Sequence, residues 1–191
     1  MIPHAPDLSP RQRPIARPSA TRTATLLSIL YLFGGVALVV VNMVAAQVIG
    51  NEAEMDRLQG KAEEAMANED PEGAAMNMGR AALMAKLLAK THKEDLSAVR
   101  LFQSAETLFR SQEHSYRAMA LFRRAGGQLP ASSGVCGSLS LSQQSLRQAL
   151  ATLNDEKNAP GPVATKATQL REAATNWVTV IDSLITDYQC G

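Results

Sequence analysis

Aromatic side chains are scarce in this chain: one Trp, three Tyr and four Phe make up 4% of its 191 residues. Cysteine and histidine are scarcer, with two and three copies. His4 lies near the start, and His92 and His114 stand 22 positions apart. Such a set does not supply the four clustered ligands of a zinc site. The sequence also lacks a Cys-x-x-Cys-His haem-attachment motif and a glycine-rich phosphate loop. No sign of charge dominates: 19 Lys and Arg face 18 Asp and Glu, a net +1. That balance removes the electrostatic case for nucleic acid as a partner. The carboxylate pairs Glu63-Glu64 and Glu94-Asp95 are adjacent in sequence. Neighbouring helix positions point away from one another, so these pairs suit a solvated face rather than acid–base work. The chain is therefore expected not to be an enzyme and to carry no catalytic residue, cofactor or metal.

The apolar content, 46%, rests heavily on Ala and Leu. Both lose little conformational freedom in a helix, so the expected fold class is all-α. Residues 23–51 contain no charged side chain; the stretch runs from Leu26-Leu27 through Phe33 and Val36 to Val48-Ile49. About 20 apolar residues cross the roughly 30 Å hydrocarbon layer, so one transmembrane helix is expected at 24–49. Arg11, Arg13, Arg17 and Arg22 precede it, and Glu52, Glu54 and Asp56 follow. The positive flank stays in the cytoplasm, which directs the C-terminal part to the periplasmic side of an inner membrane. Val44-Ala45-Ala46 resembles a signal-peptide cleavage site, but apolar cores of such peptides run about 7–15 residues, well short of this stretch. Within it, Gly34 and Gly35 permit close helix approach and Asn42 can bond across a helix pair, marking a contact with a membrane partner. Residues 1–22 place Pro3, Pro6, Pro10, Pro14 and Pro18 among the arginines, a tail that cannot form a helix alone.

The remainder divides into 51–130 and 131–191. Helices are expected at 51–68 and 72–90, separated by the Asp70-Pro71-Glu72-Gly73 turn, then from Asp95 and again over 114–125, stopped by Gly126-Gly127. Two further helices, 138–157 and 163–189, flank Asn158-Ala159-Pro160-Gly161-Pro162 and so form an antiparallel hairpin. Leu170, Ala174, Trp177, Ile181, Leu184 and Tyr188 give the second arm one apolar face. Cys136 precedes the first arm and Cys190 follows the second, at the same end of that hairpin. A Cys136–Cys190 disulfide is the expected arrangement; two buried thiols or a bond to another subunit are the alternatives. Disulfides persist outside the cytoplasm, which agrees with the charge-derived direction.

Ala62, Ala65, Ala74, Met78 and Ala81 have counterparts further on: Phe109 corresponds to Ala65, and Ala118, Phe122, Ala125 and Pro130 follow. On these residues the segment 105–130, and with it about 55–130, resembles tetratricopeptide repeats. Glu106 departs from the family's small residue, and Ala74 to Ala118 spans 44 positions where the repeat has 34. The resemblance implies helical hairpins that build a concave surface binding peptides or proteins. Residues 80–124 hold nine basic and four acidic side chains, against eight acidic and two basic over 52–72. Arg80, Lys86, Lys90, Arg110, Arg117, Arg123 and Arg124 are the candidates for a basic face that receives a partner, with internal packing beside the acidic helix as the alternative. The functional expectation is an accessory or scaffold subunit of a bacterial cell-envelope complex, its partners being other subunits and membrane lipid. A chaperone-like or secretion-machine module that holds clients transiently is the alternative, and an enzyme subunit, its site assembled from residues that look ordinary in sequence, is the third reading.

Overall fold

The computed structural model describes residues 51–155 and 161–191; the expected tail and span, and most of the expected Pro-Gly-Pro turn, lie outside these residues. Every regular element among the described residues is an α-helix: α1 (Glu52–Ala67), α2 (Pro71–Thr91), α3 (Leu96–Arg124), α4 (Ser133–Asp155) and α5 (Gly161–Asp187). None of these is long and apolar enough to cross a membrane.

The helix starts follow from side chains that satisfy the unpaired amides of a first turn. Asn51 Oδ1 accepts from the amides of Ala53 at 2.9 Å and Glu54 at 3.4 Å. Asp70 accepts from Gly73 N at 2.9 Å, with Pro71 occupying the first turn, where a missing amide costs nothing. Gly73 lets that cap sit close, because a Cβ on it would meet the Asp70 carboxylate and force it to shift. Asp95 caps α3 through Ala98 N at 3.0 Å. That helix ends where Gly126 adopts φ 72° and the amides of Gly126 and Gly127 each reach back 3.0 Å, to Arg123 O and Phe122 O.

The main departure from expectation lies in α3. The two helices expected from Asp95 and over 114–125 are one element of 29 residues. Arg110-Ser111-Gln112-Glu113 is polar but contains no Gly or Pro, and the fold buries Ser111, Gln112 and Glu113 instead of turning there. Ser142 of α4 is the reason: its Oγ lies 3.0 Å from Ser111 Oγ and 2.8 Å from Ser115 Oγ, and donates to Ser111 O at 2.7 Å. With its hydroxyls paired, the serine run forms a tight dry crossing of α3 and α4. Residues 105–130 therefore do not make the two-helix unit of a tetratricopeptide repeat.

Helix α3 is the spine of the molecule, packing against α2, α4 and α5, while α1 packs on α2 and α5 on α4. Helices consecutive in the chain run antiparallel, whereas α5 runs parallel to α3, Tyr116 meeting Trp177 and Phe122 meeting Tyr188. Ala81, Ala82 and Ala85 on α2 are fully buried, so α2 and α3 approach closely around Met78 and Phe109. On the other flank Leu108, Leu146, Leu153 and Ile181 join α3 to the α4–α5 hairpin, and Trp177 touches both clusters.

The expected closure of that hairpin is present. Cys136 and Cys190 are joined, with Cα atoms 5.3 Å apart. Helix α4 begins at Ser133, five residues earlier than expected, so Cys136 lies in its first turn rather than in a loop. Phe122 stacks on Tyr188 with centroids 4.0 Å apart, and Ala131 N donates to Tyr188 O at 2.9 Å, tying the same end to α3.

Candidate functional site

Helix α5 packs on α3 and α4, and α1 on α2, but α1 and α5 do not pack on each other among the described residues. Between them is a recess of about 280 Å³. Leu101, Phe102, Ala105 and Phe109 of α3 form its floor, Met55 of α1 and Leu170 of α5 its walls, and Glu52, Asp56, Gln59, Lys166 and Gln169 its rim. A Glu52–Lys166 ion pair bridges the mouth from α1 to α5. Apolar side chains under a polar rim, with two carboxylates against one ammonium, suit an aliphatic or aromatic anchor from a partner with a basic neighbour.

The seven basic candidates separate into two sets. Arg110 and Arg117 both reach the buried carboxylate of Glu113, at 2.6 and 2.5 Å. Gly79 of α2 leaves room for that group, since a Cβ there would come within 3.1 Å of its Cδ. Arg124 bonds Glu72 at 2.6 Å, which holds the Glu72 carboxyl below its ordinary range, and Arg123 donates to Glu69 O. These four arginines thus join α3 to itself, to the turn before α2 or to the first turn of α2. Arg80, Lys86 and Lys90 are exposed on α2 around Leu58, Leu83, Met84 and Leu87, where a shallower recess of about 600 Å³ opens beside Arg57 and Glu54. Lys86 also stands 3.6 Å from Glu106.

Among the described residues no group of three His, Cys, Asp or Glu is placed to hold a metal ion. His92 lies against Phe102, with Nδ1 2.9 Å from Leu88 O. Burial pushes the His114 pKa below its ordinary value, the nearby carboxylate of Glu113 opposing. Burial likewise raises Tyr116 to about 12, where its ring meets Trp177 edge-on at 5.4 Å. Gly34, Gly35 and Asn42 lie outside the described residues.

Sequence reasoning missed the recess, because its floor and walls come from three helices far apart in the chain. The Arg110-Glu113-Arg117 trio was legible, since its three- and four-residue steps place all three on one helix face. No protein-family model matches the chain, and neither a curated protein nor a solved structure matches it.

Proposed function

We propose that this chain is a non-catalytic accessory subunit of a bacterial cell-envelope complex. Residues 24–49 anchor it in the inner membrane, the tail lies in the cytoplasm, and the helical domain binds partner proteins on the periplasmic side. The observation that carries the reading is the recess between α1, α3 and α5. Its floor is Leu101, Phe102 and Phe109, core side chains that are themselves buried, so a partner's apolar side chain entering the recess would rest on the core. Interfaces concentrate their affinity in such apolar pockets, with the polar rim supplying orientation. Support for the placement comes from the arginine-rich flank before the apolar stretch and from a disulfide that suits an oxidising compartment.

The test is purification of the full chain in mild detergent with a photo-crosslinking residue at Gln169 on the recess rim, or at Arg147 on exposed α4 as control. A stoichiometric partner crosslinked from 169 and not from 147 is expected. A monomer with no co-purifying chain would falsify the reading. Substoichiometric, salt-sensitive adducts would turn it toward a module that holds clients transiently.

A further inference from the structure

The exposed face of α2 departs from what a free surface helix carries. Arg80, Leu83, Leu87 and Lys90 recur at steps of three, four and three, so they share one face. Leu83 is 50% exposed, and Leu96, the first residue of α3, is 69% exposed at the same end of the molecule. Around Leu83 and Leu87 stand Arg57, Arg80, Lys86 and Lys90 against the carboxylates of Glu54 and of Glu106, which pairs with Lys86, a local balance of +2. Within the patch Glu54 pairs with Arg57 and Glu106 with Lys86, which leaves Arg80 and Lys90 as its outer cations, while Glu52 is engaged with Lys166 and Asp95 with the amide of Ala98. Leucines ringed by long cationic side chains match the pattern of helices that rest in a bilayer interface, apolar groups inward and charges among headgroups.

The position of this face along the chain selects the occupant. Asn51 N lies 3.2 Å from Met84 Sδ, which fixes the middle of the leucine-bearing half of α2 to the residue two positions after Ile49. From Met84, α2 continues to Thr91, about 10 Å further at 1.5 Å per residue. We propose that the Arg80–Lys90 face of α2, with Leu83 and Leu87, docks on the anionic phospholipid headgroups of the bilayer that holds the chain's own span. This inference rests on the reading of 24–49 as a retained anchor. A chain that leaves the membrane close to Asn51 would bring the patch near the lipid surface, where salt screens its charge only in part. Docking would hold the domain at a defined tilt and present the α1–α3–α5 recess at a fixed height to neighbouring subunits.

The full chain is reconstituted in nanodiscs of neutral phosphatidylcholine or of a phosphatidylglycerol mixture. An environment-sensitive fluorophore is placed at Leu83→Cys or, as control, at Leu141→Cys on α4, which is also 50% exposed. In anionic discs the probe at 83 is expected to shift to the blue and to be quenched by lipid-borne quenchers, reverting in high salt; the probe at 141 stays in water throughout. Arg80→Gln and Lys90→Gln each lower the docked-to-free ratio about fivefold without changing the melting temperature. A probe at 83 as wet in anionic as in neutral discs overturns the proposal. So does one that becomes dry only when an acidic protein is added, which assigns the face to a protein instead. Failure of the chain to enter discs at all removes the anchor reading itself, and this inference with it.

Discussion

Glu113 shows how a single side chain can organise two helices. Its carboxylate is buried between α3 and α2, two guanidiniums of its own helix grip it, and Gly79 opposite provides the space. Arg110 and Arg117 remain a third and a half exposed, at 33% and 52%. They can rehydrate when the carboxylate is removed, so Glu113→Ala is expected to cost about 1–3 kcal/mol rather than the full penalty of an unpaired buried charge. Gly79→Ala then becomes informative. Alanine favours the helix by about 1 kcal/mol over glycine, but here its methyl group meets a carboxylate that two arginines pin in place. Gly79→Ala should therefore be neutral or destabilising in the native background and stabilising by about 1 kcal/mol beside Glu113→Ala. Urea melts of the four proteins of this cycle measure it; equal gains in both backgrounds would show that the contact does not restrain the carboxylate. The Arg-Glu-Arg spacing was readable in advance, whereas the space at Gly79 was not, because residue 79 faces residue 113 only after α2 folds onto α3.

At the scale of elements, local chemistry accounts for most boundaries. Asn51, Asp70 and Asp95 cap three helices, and Gly126-Gly127 ends the longest. The α4–α5 hairpin adds a covalent link between residues 54 positions apart. Removing such a bridge typically costs about 2–5 kcal/mol, in part by enlarging the unfolded ensemble. Cys136→Ser with Cys190→Ser is expected to lose stability in that range. Amide exchange should rise first at the start of α4 and the end of α5; uniform exchange across α2 and α3 would mean that the bridge supports the whole domain. The continuity of α3 has a different origin. Its polar middle offers the pattern of a turn, and only Ser142, 31 positions from Ser111, supplies the hydroxyl that lets the run be buried. Two helices read over this stretch were thus one, and the repeat-like spacing of Phe109, Ala118 and Phe122 belongs to the packing of a single spine.

For the whole molecule, direction across the membrane is the property on which the proposed function depends. Cys136→Ser leaves Cys190 as a free thiol after α5, and an impermeant maleimide should label it in intact cells once the outer layers are opened. His4→Cys, in a background without Cys136 and Cys190, should react only after the inner membrane is permeabilised. The reverse pattern would place the helical domain in the cytoplasm and remove the compartment in which its disulfide persists.

The sequence by itself determined the all-α class, most helix boundaries, the placing of Cys136 and Cys190 at one end of the hairpin and the uncharged stretch before Glu52 with its arginine flank. Each is written in neighbouring residues or in a period of three to four, and needs no knowledge of distant partners. Tertiary structure alone decided that 96–124 is one helix, that Arg110, Arg117, Arg123 and Arg124 are engaged internally while Arg80, Lys86 and Lys90 ring exposed leucines, and that α1 and α5 leave a recess over α3. Burial of a polar run or engagement of a charge depends on which side chain stands opposite. That is set by how five helices pack, and not by the order in which they follow one another.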